Sequence, residues 1–193
     1  MYPVRLDKFH IILASKSPRR QYLLRELGIQ FVIETKDVDE SFPAHLQGEE
    51  IPLYLCHKKA DAFDGKLKED TILITADTIV WINGHVLNKP ADAEEARTML
   101  RELSGNRHEV YTGVCLKSAK KKIVFAVKTA VYFKELSEGE IEFYVSTYKP
   151  FDKAGAYGAQ EWIGYVGVER IEGSYFNVMG LPVKELYDEL CNF

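Results

Sequence analysis

A strand, a tight loop and a helix follow one another near the start of the chain, and this unit constrains the fold most. The apolar residues 11–13 predict a buried strand, and the small polar residues after them predict the loop. Ser17 suits the N-cap of a helix and Pro18 its first position, where the missing N–H costs nothing. Gly28 suits the left-handed residue that follows the helix.

The start of this helix also predicts an anion site. Arg19 and Arg20 fall in the first turn, beside backbone N–H groups that have no partner within the helix. The hydroxyls of Ser15 and Ser17 flank them. Free N–H groups, the positive end of the helix dipole and guanidinium groups together favour phosphate. The alternative, which the motif alone leaves open, is an ordinary helix cap with two solvated arginines. The spacing is not that of a Walker loop.

Composition limits the classes of protein to which the chain can belong. Its 193 residues, 46% hydrophobic and 28% charged, predict one globular domain over residues 1–193. The net charge of −4 argues against a nucleic-acid or membrane-surface binder, so any basic site must be local. We see no signal peptide and no apolar run of the roughly 20 residues that cross a membrane. Three widely spaced cysteines predict a cytoplasmic protein with reduced thiols.

Periodicity predicts the remaining elements. Strands are expected at residues 31–35, 71–76, 79–82, 85–87, 108–116 and 123–133. Helices are expected at residues 51–63, from Asp92 to 103, from Ser137 to 145, and from Val183 to the end of the chain. The segments 149–160 and 173–182 are rich in small and aromatic residues, and close-set small residues let backbone approach a ligand or another chain segment closely. The alternative for the first segment is a packed loop.

Asp77 is the carboxylate that most needs an explanation. It follows a strongly β-prone run and precedes another, and burying an unpaired charge between them would be costly. It therefore needs a lysine, an arginine or a metal ion as its partner. A structural salt bridge and a functional site are both compatible with these residues. Lys89 lies at the far end of the same predicted hairpin, from which it could return beside Asp77.

Three further residues have a functional and an ordinary interpretation. Glu40 lies in an acidic loop and could help to hold a divalent metal, although such loops are usually solvated. Lys59 could supply a point charge for phosphate or lie on the surface. Gln160 carries a donor and an acceptor, which suits the edge of a nucleobase, but it could equally be a surface glutamine of a packed loop.

Six motifs in a fixed order resemble the Maf family of nucleoside triphosphate pyrophosphatases over almost the whole chain. They are Ser15–Arg20, Ala76–Val80, Lys89–Pro90, Leu103–Gly105, Asp152–Gly158 with Gln160, and Gly173–Tyr175 with Gly180–Pro182. The resemblance implies a Maf/ITPase-like α/β fold: a mixed twisted sheet with flanking helices, elongated, with two lobes about a central cleft. Members are often dimeric, and the sequence leaves open whether two of these chains form a homodimer.

The resemblance also implies an activity and roles for single residues. The family hydrolyses a nucleoside triphosphate between its α and β phosphates with a divalent metal, Mg²⁺ or Mn²⁺. Asp77 would accept the proton of the attacking water and, with Glu40, hold the metal. The substrate-binding residues would be Ser15, Arg19, Arg20, Lys59, Thr78, Lys89 and Gln160.

Three of these residues separate substrate classes in the family. Arg19, Thr78 and Gln160 together resemble the dTTP/UTP branch, whereas the 7-methyl-GTP branch usually has tryptophan in place of Arg19. Asn88 and Glu161 depart from the usual family residues, and Glu161 leaves the shape of the base pocket less defined. Two alternatives stay open: a nucleotide-binding regulator of cell division with little turnover, and a phosphatase that removes the terminal phosphate alone.

Overall fold

The computed structural model describes residue 6 and residues 8–193, which form seven strands, seven α-helices and one 3₁₀ turn. The strands are β1 His10–Leu13, β2 Val32–Ile33, β3 Thr71–Ile82, β4 His85–Leu87, β5 Arg107–Lys117, β6 Lys122–Phe133 and β7 Val168–Glu172. The helices are α1 Pro18–Glu26, α2 Glu50–Asp61, α3 Ala93–Leu103, α4 Glu138–Tyr148, α5 Trp162–Gly167, α6 Tyr175–Met179 and α7 Val183–Cys191. The 3₁₀ turn is Ala154–Ala156.

The strands form one mixed sheet in the order β2-β1-β3-β5-β6-β7, with β4 paired to β3. β1 is parallel to both β2 and β3, whereas β4 is antiparallel to β3 and β7 to β6. The parallel strands β1, β2 and β3 are joined through helices, as parallel connections require. The predicted mixed sheet with flanking helices is confirmed.

The chain divides into two compact units. The first unit contains the described residues up to Asp77 together with residues 112–127 and 180–193. The second unit contains residues 78–111 and 128–179. No helix in the described part of the chain is both long and apolar enough to cross a lipid bilayer.

In the first unit, α2 packs against the sheet through an apolar cluster. Cys56, Ala60 and Phe63 contact Ile12 and Leu73 of the parallel strands, and all five are less than a tenth exposed. The start of α2 also touches backbone. A side chain at Gly113 of β5 would overlap the Pro52 carbonyl and lie 2.7 Å from the backbone nitrogen of Leu53. The hydroxyl of Thr75 in β3 donates to the Cys56 carbonyl at 2.6 Å. α2 therefore has a fixed position on the sheet.

In the second unit, α3 and α4 pack together around a larger apolar core. Both begin at capping residues that the sequence predicts: Asp92 accepts from two backbone N–H groups, and Ser137 forms a capping box with Glu140. Arg97 pairs with Glu142 at 2.7 Å on the exposed side of the two helices. The core residues of this unit include Val80, Leu100, Leu103, Val131, Ile141, Tyr144, Tyr157 and Ile163.

The differences from the predicted elements have local causes. β3 runs unbroken from Thr71 to Ile82, so Asp77 lies inside a strand rather than at a break between two. β2 has two residues instead of five. α6 lies in a segment for which the sequence predicts no helix, and α5 and β7 lie in residues 161–172, for which it predicts no element. α5 is short and contains two glycines, and β7 is a partly exposed strand defined by its pairing with β6. Neither element shows a clear period in the sequence.

Candidate active site

The loop before α1 is shaped by the two predicted serines. The Ser17 hydroxyl accepts from the backbone N–H of Arg20 at 3.4 Å, and Pro18 occupies the first helical position. The Ser15 hydroxyl accepts from the backbone N–H of Ser17 at 3.2 Å, and Ser15 is buried. Both serine hydroxyls thus turn the chain from β1 into the helix, and the interpretation as a helix cap is correct for Ser17. The same geometry leaves Arg19 and Arg20 in the first turn.

Arg20 connects α1 to the strand that carries Asp77. Its Nη1 donates to the Ala76 carbonyl and its Nε to the Gly180 carbonyl, each at 2.8 Å. Burial lowers the pKa of Arg20, while the negative charges of Asp77 and Glu40 act in the opposite direction. An arginine keeps its proton under such conditions, so a positive charge stands beside Asp77. The predicted proximity of the Ser-Pro-Arg-Arg turn to Asp77 is present within the first unit.

Asp77, Lys59 and Glu40 come together from three different elements. Side chains alternate along a strand, so Asp77 points to the same side of β3 as Thr75, which contacts α2. Lys59 of α2 donates to Asp77 Oδ1 and lies 2.8 Å from Glu40 Oε1. The Asp77 side chain is 12% exposed and that of Glu40 51%. Asp77 therefore has the cationic partner that its burial requires, and that partner is a lysine.

This cluster has the chemistry of a site for a metal-bound phosphate. Lys59 and Arg20 are cations, and Asp77 and Glu40 are carboxylates that converge on one ammonium group. No group of three or more histidine, cysteine or acidic residues suited to a metal occurs among residues 6 and 8–193. Mg²⁺ does not need such a group, since it binds through one or two carboxylates and takes its other ligands from substrate phosphates and water. The donors present therefore fit a divalent ion bound together with a nucleotide.

The other predicted substrate residues divide between the two units. Ser15 and Arg19 belong to the first unit, and Arg19 is partly exposed at the start of α1. Thr78, Lys89 and Gln160 belong to the second unit. Thr78 follows Asp77 in β3 and is partly buried, and Lys89 is exposed just beyond β4. The structure thus brings Arg20, Glu40, Lys59 and Asp77 together in the first unit.

Within the second unit, the backbone next to two of these residues is well fixed. The carbonyl of Asn88, next to Lys89, accepts from the backbone N–H of Gly155 at 3.1 Å. The carbonyl of Gln160 accepts from the Tyr165 hydroxyl at 2.9 Å. Among the residues that the structure describes, none hydrogen-bonds to the side-chain amide of Gln160, so its donor and acceptor are available to a ligand.

Sequence reasoning missed several groups that position this chemistry. The Gly180 carbonyl accepts from Arg20, and a sequence signal for it was present, because Gly180 belongs to the last of the six matching motifs. A buried network of Tyr144, Lys153 and Glu161 lies beside Gln160. Its sequence signals were Lys153, which belongs to the fifth matching motif, and Glu161, an unusual residue for its position. Contacts made by backbone carbonyls, or between side chains far apart in the sequence, produce no other recognisable sequence pattern.

The fold and this cluster define an α/β protein with cations at a helix start and a carboxylate pair suited to a metal-bound phosphate. The sequence model of the family described as Maf-like protein matches residues 10–193, and the chain belongs to that family. A relative from Bacteroides thetaiotaomicron, named dTTP/UTP pyrophosphatase, is 55% identical over 96% of each chain. Relatives from Parabacteroides distasonis and Porphyromonas gingivalis carry the same name, at 52% and 50% identity over 97% of this chain and 98% and 96% of theirs.

Among solved structures, the Staphylococcus aureus Ham1 protein is 16% identical with a TM-score of 0.49, covering 93% of this chain and 99% of that one. A similarity of that size carries no argument about function.

Proposed function

We propose that this protein is a nucleoside triphosphate pyrophosphatase that hydrolyses dTTP and UTP to the monophosphate and pyrophosphate. One observation carries the proposal: Asp77 stands in a strand beside Lys59, Glu40 and Arg20. The names of relatives with about half of their residues identical support the reaction and the pyrimidine substrates. Those relatives are named as enzymes, which favours turnover over the alternative of a regulator.

In the proposed reaction, Asp77 accepts a proton from the attacking water. The water oxygen forms a bond to the α-phosphorus, the bond from that phosphorus to the oxygen bridging the α and β phosphates breaks, and pyrophosphate leaves with that oxygen. Arg20 and Lys59 stabilise the negative charge that develops on the leaving group. Lys59 directs two of its three ammonium donors to Asp77 and Glu40, so the third can bind a phosphate oxygen.

A divalent metal, Mg²⁺ or Mn²⁺, completes the proposed site. Asp77 and Glu40 would hold it, and it would neutralise phosphate oxygens and lower the pKa of bound water. The two carboxylates lie against the same ammonium group, so a second cation there would compete with Lys59 for their charge. With a metal held there, the ammonium group of Lys59 would be shared between these carboxylates and the phosphates.

The remaining assignments rest on the position of each residue in the motifs. Ser15, Arg19 and Lys89 are proposed to bind the triphosphate, and Thr78 and Gln160 to select the base. The free side-chain amide of Gln160 supports its part, because an amide can pair with both a donor and an acceptor of a pyrimidine. We further propose that residues 1–193 act as one domain.

A product assay with a panel of nucleotides tests the function. The protein is incubated with dTTP, UTP, CTP, dATP and dGTP in Mg²⁺ or Mn²⁺, and the products are separated by ion-exchange chromatography. Monophosphate and pyrophosphate from dTTP and UTP are expected. Diphosphate with orthophosphate would instead show a phosphatase that removes the terminal phosphate, and binding without products would show the regulator.

A further inference from the structure

We propose that Tyr144 is a positioning residue for base selection, acting with Glu161 and Lys153 to fix the turn that presents Gln160. This inference rests on the proposed function, because it assumes that Gln160 contacts the base. All of these residues lie in the second unit.

The Tyr144 hydroxyl joins the turn to a buried charge. It accepts from the backbone N–H of Gly158 at 3.0 Å and donates to Glu161 Oε2. Tyr144 is fully buried in α4, so its ring cannot shift without disturbing the core. The backbone two residues before Gln160 is thereby attached to a rigid helix.

Glu161 and Lys153 close the other side of the turn. Lys153 is 7% exposed and its ammonium lies 3.0 Å from Glu161 Oε1 and 2.7 Å from Asp152. A side chain at Gly158 would lie 2.9 Å from the Glu161 carboxyl carbon and 3.0 Å from Lys153 Cε. The lysine and glutamate side chains therefore pack directly on the backbone of the turn. There is no room for a side chain at Gly158 beside them.

Two further contacts hold Ala159 and the backbone of Gln160 itself. A side chain at Gly164 would lie 2.8 Å from Ala159 Cα, so the start of α5 packs tightly on the turn. The Tyr165 hydroxyl donates to the Gln160 carbonyl. Backbone is thus fixed before and at Gln160, while no described residue hydrogen-bonds to its side-chain amide. Selectivity by hydrogen bonds needs this arrangement, because a misplaced amide pairs equally poorly with every base.

Tyr144→Phe removes the hydroxyl and keeps the ring. Tyr148→Phe is the matched control: it lies one turn further along α4, its ring stacks on Tyr144 at 5.1 Å, and no described residue hydrogen-bonds to its hydroxyl. We expect Tyr144→Phe to raise KM for dTTP about tenfold with kcat within about twofold, and to lower the ratio of kcat/KM for dTTP over dGTP about tenfold. Tyr148→Phe should match the wild type. Inhibition by tripolyphosphate, which has no base, should be unchanged in both.

Glu161→Gln provides a second variant. Its amide oxygen still accepts from Tyr144, while the charge facing Lys153 is lost. The ratio of kcat/KM for dTTP over dGTP should therefore fall, but by less than in Tyr144→Phe. An unchanged preference in both variants, or a parallel loss for all nucleotides as partial unfolding would cause, overturns the inference. If the wild type hydrolyses nothing, the proposed function fails. The dissociation constants of non-hydrolysable dTTP and dGTP analogues then still show whether Tyr144 controls the preference between bases.

Discussion

Each unit contains a lysine placed between two carboxylates, one largely buried and one largely exposed. In the first unit Lys59 contacts Asp77 and Glu40, and in the second Lys153 contacts Glu161 and Asp152. The side chains of Asp77 and Glu161 are 12% and 21% exposed, and those of Glu40 and Asp152 51% and 60%. The two clusters are therefore similar in charge and exposure, yet we assign catalysis to one and support to the other.

The difference lies in what else the buried carboxylate contacts. Glu161 also accepts the Tyr144 hydroxyl and packs on Gly158, and its cluster comes from neighbouring stretches of the chain. Asp77 is held by a lysine from α2, near a loop carboxylate and an arginine from α1. A carboxylate whose partner is a flexible ammonium can exchange that partner for a ligand. A carboxylate that also accepts from a buried hydroxyl and packs on backbone, as Glu161 does, cannot exchange its partners without disturbing the fold.

The largest effect that separates the clusters should come from Asp77→Asn. The amide keeps the shape and can still accept from Lys59, but it cannot accept a proton, so kcat for dTTP should fall about a thousandfold. Steady-state kinetics measure this, and circular dichroism and the melting temperature serve as the check on folding. Turnover close to that of the wild type would remove Asp77 from the mechanism.

The two exposed carboxylates should differ in their effect on metal use. Glu40→Gln should raise the Mg²⁺ concentration that gives half-maximal activity at least about tenfold, since it removes a proposed ligand. Asp152→Asn removes an equally exposed carboxylate from the other lysine and should leave that concentration unchanged. Metal titrations of dTTP hydrolysis compare the two. Equal shifts in both variants would mean that bulk charge, rather than a metal ligand, is responsible.

The second unit should respond to acid through His108. Burial first, and then the charge of Arg107, lower its pKa to about 3. Below pH 6.5 the unfolded chain therefore binds a proton at His108 that the folded protein excludes. The contribution of His108 to the free energy of unfolding is complete above pH 6.5 and is lost as the pH falls below that value. At pH 5 this loss amounts to about 2 kcal/mol. Urea unfolding at pH 7 and pH 5 measures it.

His108→Phe is the control for that measurement, since it removes the titrating group and keeps a ring beside Phe133 and Tyr157. The variant should lose less stability than the wild type between pH 7 and pH 5. Identical losses would show that other groups cause the acid sensitivity.

The smallest effect should come from Arg20→Lys. A lysine keeps the charge beside Asp77, but it cannot reach both the Ala76 and Gly180 carbonyls as the forked guanidinium does. We expect a loss of about 1 kcal/mol in the free energy of unfolding. Arg25→Lys, an exposed arginine of the same helix, should change it little. If the two variants are equally stable, the carbonyl contacts of Arg20 contribute nothing measurable.

Local features of the sequence predicted much of the fold and only part of the site. Ser17, Asp92 and Ser137 give the starts of α1, α3 and α4, because a cap acts within a few residues of itself. The burial of Asp77 and its need for a partner followed from the apolar residues on both sides. That this partner is Lys59 did not follow, since it depends on how α2 packs on β3.

The support for the turn at Gln160 was the hardest part to predict. Tyr144 occupies an apolar position of α4 and has the appearance of an ordinary core residue, and Lys153 belongs to a matching motif without an assigned role. Their roles depend on tertiary contacts with Gly158 and Glu161, and no periodicity or spacing encodes such contacts. α5 and β7 were missed for the same reason, because their conformations are set by their neighbours.

The contact of Gly113 with the start of α2 has a consequence for how this family can diversify. Apolar residues beneath a helix can be substituted, because a larger side chain at one position can be offset by a smaller one beside it. At Gly113 the neighbours are the main-chain atoms of Pro52 and Leu53, which offer no such exchange. Lys59 lies further along the same helix, so any addition at this position is transmitted to the ammonium group. A methyl group added at Gly113 should therefore displace the start of α2, and with it the helix that carries Lys59.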